Sequence, residues 1–278
     1  MPRTDEGFFS GRDDTRLYWQ SMLPDADPAA FVGVVHGYGD HSGRYRRFSE
    51  HLVSQGLGVL SFDYRGHGKA DGRRGYCERW GDYLKDLEVF WARLRGQASG
   101  KPTFLFAHSH GGLMALHWLT QGAQGLKGLV LSSPYLKLAL DPPALKVISA
   151  KIAGLFVPFL PVPTGIEYAQ LSRDEAWQKE TAADPLYGTK ATPRWFVQAT
   201  QAQESILTAG AQISVPTLMC AGGADPIAHT PTSRAFFETL GSTDKKYVEY
   251  PEMRHEIVCE IDKEKVWADI SSWIKAHI

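Results

Sequence analysis

The 278-residue sequence predicts an α/β protein: a mostly parallel central sheet, helices on both of its faces, and a helical segment inserted late in the chain. Three observations carry this. Short apolar β-rich runs alternate with helical patterns from residue 31 to residue 131. The alternation stops between 133 and about 210, where helical patterns dominate and no buried strand is evident. It then resumes and closes on an amphipathic helix.

Taken in order, 8–10 and 17–19 read as strands, and 31–35 as a buried strand running straight into His36-Gly37. A helix is expected over 45–55, a buried strand over 58–62 and a long amphipathic helix over 80–95. Next come a strand at 104–106, a helix at 112–120 and a strand at 128–131. An antiparallel beginning followed by strand–helix–strand units gives a mixed sheet. Residues 1–133 and 211–278 are assigned to the core and 134–210 to an inserted helical cap.

Within the insertion, Asp141-Pro142 has the form of a helix start, an acid at the N-cap followed by proline. Leu145, Ile148, Ile152 and Leu155 recur at helical spacing and are expected to face inward. The apolar run 156–162 is costly to leave in water, so Leu155, Phe156, Phe159 and Leu160 are expected to line the mouth of an acyl pocket or to meet lipid. After the insertion, 216–221 reads as a strand, 229–240 contains a helix, 246–250 is a strand and 263–276 a closing helix.

Thirty Lys and Arg against 31 Asp and Glu, with no basic run, argue against a nucleic-acid partner. Cys77, Cys220 and Cys259 have no paired spacing, so neither a disulfide framework nor a zinc site is expected, and no other metal or cofactor is implied. The charged first residues lack the apolar core of a signal peptide. No stretch suits a membrane span, since 152–166 is short and interrupted by three prolines. A cytoplasmic protein with no obligate protein partner is expected, touching membranes at most transiently through the cap.

Chemistry centres on Phe106-Ala107-His108-Ser109-His110-Gly111-Gly112. A strand that turns sharply into a helix lifts the turn residue above the sheet, beside the free N–H groups of the helix start. Small residues two before and two after Ser109 let that turn form, and Ala107 keeps the first position small. A serine hydroxyl needs a base, and the base an orienting acid, all arriving at the carboxyl ends of strands. Asp225 follows the strand 217–221 through a small-residue loop, and His255 follows the last strand. His229 is too close in sequence to Asp225, and His277 lies at the chain end. For the developing oxyanion, the backbone N–H groups of His110 and of Tyr38, in the loop after the strand ending at Val35, are the expected donors.

The run His36-Gly-Tyr-Gly-Asp-His-Ser-Gly-Arg-Tyr45, together with Asp63-Tyr-Arg-Gly-His-Gly68, Gly72-Arg-Arg-Gly75 and the serine turn, resembles the monoacylglycerol lipase and lysophospholipase branch of the α/β-hydrolases, related to the S33 serine aminopeptidases. The resemblance covers almost the whole chain, including Leu171-Ser172-Arg173-Asp174 and Asp184-Pro185-Leu186. It implies an α/β-hydrolase fold, Ser109 as nucleophile, His255 as general base then acid, Asp225 as its orienter, the Tyr38 and His110 amides as oxyanion hole, and a mobile cap over an acyl tunnel. Two departures stand out: Ala107 for the usual glycine, and His110 for the more common methionine. An imidazole at 110 is expected to narrow the pocket or alter the pH profile.

The function so expected is hydrolysis of a single-chain lipid ester, a monoacylglycerol first. A lysophospholipase or general carboxylesterase remains the alternative, with Lys137, Lys146, Lys151 and Arg173 available to a phosphate. A serine aminopeptidase would use Glu167, Asp174 or Glu175 for the substrate amine. A non-catalytic binding protein would have little need of nucleophile, base and acid together. Asp63, Arg65 and His67 are read as structural, His36 and His108 as satisfied by packing and backbone partners, and Cys259 as a buried, inert thiol.

Overall fold

The structure is a computed structural model that describes residues 2–122, 124–140 and 143–278, the side chains of Ala144 and Lys146 excepted. In chain order come β1 (Arg3–Ser10), β2 (Arg16–Leu23), β3 (Ala30–Val35), α1 (Arg46–Ser54), β4 (Leu57–Asp63), α2 (Trp80–Ala98), β5 (Thr103–His108), α3 (His110–Thr120) and β6 (Gly128–Ser132). An inserted segment follows, with α4 (Ala144–Phe156), β7 (Val162–Pro163), α5 (Tyr168–Leu171), α6 (Glu175–Ala183), β8 (Lys190–Ala191) and α7 (Pro193–Ile206). The chain closes with β9 (Thr217–Gly222), α8 (Thr230–Thr239), β10 (Lys245–Tyr250) and α9 (Lys263–Ala276).

Eight strands form one sheet in the order β1-β2-β4-β3-β5-β6-β9-β10. β1 and β2 pair antiparallel, as do β2 and β4, and every other pair is parallel. The central strands β3, β4, β5 and β6 are buried along their whole length, which is why they read as apolar runs without alternation. Their side chains still alternate in destination. Phe31, Val35, Leu105 and Ala107 pack with α2 and α3 on one face, while Val32, Val34, Phe104 and Phe106 pack with α1 and α9 on the other. β1 extends well before residue 8 because its exposed first half carries polar residues and is held by pairing with β2 rather than by burial.

Two expectations about the insertion change. The Asp141-Pro142 helix start lies outside the described residues, and α4 begins at Ala144 with Pro143 as its N-cap. The stripe Leu145, Ile148, Ile152 and Leu155 does not face inward: all four are exposed. α4 instead turns Gly154 toward α7, where an added Cβ would lie 3.3 Å from Val197 Cγ2. A helix packs most closely through its smallest residues, and the bulky stripe is left on the far side. Among the described residues, no helix is long and apolar enough to cross a membrane.

Candidate active site

Parallel register sets the site's floor. Val35 lies opposite Ala107, Ala107 opposite Leu131, and Ser132 opposite Cys220, so β3, β5, β6 and β9 end nearly level. Ser109 occupies the turn between β5 and α3 with φ 50° and ψ −116°, a strained backbone for a residue bearing a side chain. Surrounding bonds hold it there. The Ser109 N–H donates to the Ser132 carbonyl (2.9 Å), and the Ser109 carbonyl accepts from the N–H groups of Leu113 (3.1 Å) and Tyr135 (3.0 Å). Gly111 is required by close approach, since a Cβ there would sit 2.5 Å from the His36 carbonyl oxygen. Ala107 fits at full burial.

Asp225 comes three residues after β9, and its Oδ1 accepts from the N–H groups of Ile227 (2.8 Å) and Ala228 (3.0 Å). That leaves Oδ2 for His255 Nδ1, at 2.7 Å. Glycines make room for the approach: a Cβ on Gly222 would lie 2.3 Å from the Arg254 carbonyl oxygen, and one on Gly223 would lie 2.7 Å from Pro251 Cα. The loop after β10 can therefore fold over the end of β9. His255 Nε2 stands 2.8 Å from Ser109 Oγ. Because a carboxylate only accepts, it holds the neutral imidazole with its proton on Nδ1 and leaves Nε2 free to take the hydroxyl proton. Burial by itself would lower the His255 pKa, but the charge and hydrogen bond of Asp225, with the Glu256 charge, outweigh it and raise the pKa above the ordinary value.

The loop after β3 passes directly over the serine. A Cβ on Gly37 would lie 3.4 Å from Ser109 Cβ and 3.0 Å from His108 Cδ2. Tyr38 follows at once, and His110 heads α3, whose first N–H groups have no acceptor within the helix. The His110 ring turns away into an aromatic cluster of Tyr38, Tyr64, Trp80, Tyr83 and Trp195. It is fully buried, and burial, helped by the neighbouring His67, holds its pKa well below the ordinary value.

Asp63 binds two neighbouring loops together, accepting from the N–H groups of Ser42 (2.7 Å) and Lys69 (2.8 Å), and Arg65 pairs with Asp86 (2.6 Å) and Asp13 (2.8 Å). His36 contacts the Gly37 carbonyl as expected. His108 is different: its partners are side chains, Ser132 Oγ at 3.1 Å and an ion-pair contact with Glu256 at 3.1 Å that lacks hydrogen-bond alignment. Glu256, next to His255 and buried, was not anticipated. Burial pushes its pKa up, yet His108, His255 and Arg44 together hold it low. Cys259 is only partly buried rather than buried as expected; its pKa is pushed well above the ordinary thiol range by desolvation and by the nearby Glu256 and Asp40 charges.

The residues expected at a pocket mouth or a lipid surface are exposed. Leu155 and Phe156 are 73% and 80% exposed, and Phe159 and Leu160 are about half exposed, Phe159 packing on Tyr76 and Arg73. Arg173 is engaged by Glu260 (3.1 Å), Asp174 caps α6 and meets Lys263, and the Lys146 side chain lies outside the described residues. His229 bonds Thr232 Oγ1 (2.8 Å). Among the described residues, no group of three or more His, Cys, Asp or Glu side chains could hold a metal ion.

The chain is similar to several known proteins. An uncharacterized abhydrolase domain-containing protein of Dictyostelium discoideum is 30% identical over 96% of the chain, which spans only 28% of that longer protein. A monoacylglycerol lipase of Mycolicibacterium smegmatis is 26% identical over 98% of both chains. The crystal structure of Paleococcus ferrophilus monoacylglycerol lipase superposes with a TM-score of 0.83 at 29% identity, covering 99% of this chain and 100% of that one. The family described as serine aminopeptidase, S33, matches residues 26–262. Given that match and a serine, histidine and aspartate meeting at the level ends of a mostly parallel sheet, the chain belongs to this family, as an α/β-hydrolase of the esterase and lipase kind.

Proposed function

We propose that the protein is a monoacylglycerol lipase that releases fatty acid and glycerol through an acyl-enzyme. One observation carries this reading: the continuous chain Ser109 Oγ, His255, Asp225, at 2.8 and 2.7 Å. Ser109 Oγ attacks the ester carbonyl while His255 Nε2 takes its proton, and Asp225 stabilises the imidazolium formed. The amides of Tyr38 and His110 hold the negative oxygen. As the tetrahedral intermediate collapses, the Nε2 proton passes to the departing glycerol oxygen. Water, deprotonated by the same nitrogen, then attacks the acyl-serine, and as the acyl–Oγ bond breaks Nε2 returns the proton to Ser109 Oγ and the fatty acid is released.

Residues 134–210 act as the cap. Its outward Leu145, Ile148, Ile152, Leu155 and Phe156 form an apolar surface costly to keep in water, and we take it to rest transiently on lipid while the enzyme works from the cytoplasm. The test is a hydrolysis panel on the purified protein, matching a monoacylglycerol and a lysophospholipid of the same acyl chain. Faster turnover of the monoacylglycerol is expected. Preferential turnover of the lysophospholipid would make the protein a lysophospholipase, and turnover of short-chain esters alone would make it a general carboxylesterase.

A further inference from the structure

The imidazole of His110 is not an idle filler of the aromatic cluster. Trp195 Nε1, on α7, lies 3.2 Å from His110 Nε2, and an indole nitrogen can only donate. Nε2 must therefore be the bare nitrogen, and a neutral ring carries its proton on Nδ1. That nitrogen is 3.2 Å from Tyr64 Oη, which accepts from it. The single Tyr64 hydroxyl proton is then directed to the Gly37 carbonyl, 2.8 Å away. His36 Nδ1 donates to the same carbonyl at 2.8 Å, so this oxygen receives two bonds among buried residues. Every proton in the sequence has one possible place.

Gly37 shares its peptide unit with Tyr38. In a planar trans peptide the N–H points opposite to the C=O, so donors gripping the Gly37 oxygen fix the Tyr38 N–H on the other side. Chained hydrogen bonds also polarise one another, making the amide at the far end a stronger donor. We propose that Trp195, His110 and Tyr64 act as positioning residues, a donor relay running from the inserted segment into the Gly37–Tyr38 peptide, so that seating of α7 strengthens the oxyanion donor at Tyr38. This rests on the reading of the Tyr38 N–H as an oxyanion donor. A methionine at 110 has no proton to donate to Tyr64 and offers Trp195 only a weakly accepting sulfur, so the relay depends on the histidine.

The experiment uses a soluble short-chain ester, which keeps lipid docking out of the measurement. Tyr64→Phe should lower kcat roughly tenfold, a fraction of what losing a whole oxyanion donor costs, with KM changed less than about twofold. Trp195→Phe should lower kcat about threefold, and the double variant should be no slower than Tyr64→Phe, because both act along one line. The ¹⁵N spectrum of His110 should show the Nδ1–H tautomer in the parent protein and a growing Nε2–H fraction in Trp195→Phe. A folded Tyr64→Phe with full kcat, or a double variant whose losses multiply, would overturn the relay. Should Tyr64→Phe not fold, Trp195→Phe decides by itself: unchanged kcat and unchanged tautomer overturn the proposal. Replacing Tyr38 by its α-hydroxy acid, which turns the N–H into an ester oxygen, separates the two readings. Full kcat there would remove Tyr38 from the oxyanion hole, whereas a loss there without one in Tyr64→Phe would remove only the relay.

Discussion

The ends of β3, β5, β9 and β10 and the outer side of α4 are built on opposite terms. At the strand ends, Ser109 is 7% exposed, His255 and Asp225 are bonded at both ends, and the strained serine is held by three backbone bonds. On α4, five large apolar side chains stand in water. The first region spends stability on geometry, because reacting groups must be placed to within a fraction of an ångström. The second leaves apolar surface uncovered, which is tolerable only where another surface will cover it. On the function proposed above, the chemical step and presentation of the substrate fall to different regions of the protein.

That separation can be broken from either side. Ser109→Ala should reduce kcat on the order of 10⁵-fold on soluble and lipid substrates alike, while the folded protein still binds vesicles. Measurement of both activities beside vesicle binding checks it, and comparable turnover without the hydroxyl would end the nucleophile assignment. A smaller effect is expected on α4. Leu155→Ser combined with Phe156→Ser should cost roughly thirtyfold in turnover of monoacylglycerol presented in vesicles, since burying two such side chains even in part is worth about 2 kcal/mol. Turnover of a short-chain ester should barely move. Equal losses on both substrates would show that α4 serves the chemistry as well.

The smallest expected effect sharpens the electrostatics of the strand-end region. His255 works as a base only when neutral, and its pKa is raised, so kcat/KM should fall on acidification from a pH above the ordinary histidine value. Glu256 contributes part of that rise. Glu256→Gln removes a negative charge that favours the imidazolium, so the acid limb should move to lower pH by a fraction of a unit, and relative activity at mildly acidic pH should increase. A pH–rate profile with an unmoved limb would leave Glu256 as a partner of His108 alone.

Near the strand ends, much was legible in advance because local pattern and chemistry coincide there. Ser109 sits between a buried run and a helical one, and Asp225 and His255 each follow a strand. Tyr64 and Trp195 gave no such signal. One lies in the common Asp-Tyr-Arg-Gly turn and the other on a helix 131 residues away, and only folding brings both to His110. Glu256 was hidden for a related reason: an acid beside a catalytic-looking histidine reads as exposed polarity until His108 and Arg44 are seen to surround it.

The chain's order of apolar runs, helices and small-residue turns was enough to determine a mostly parallel sheet and the succession of serine, acid and base, because strand burial and turn geometry are written in short stretches of sequence. Tertiary structure alone decided which side of α4 meets the protein. Helical periodicity marks a stripe but not its neighbour, and Gly154, facing α7, allowed the closer packing. It also decided where the protons sit around His110, since a tautomer depends on partners from three distant segments.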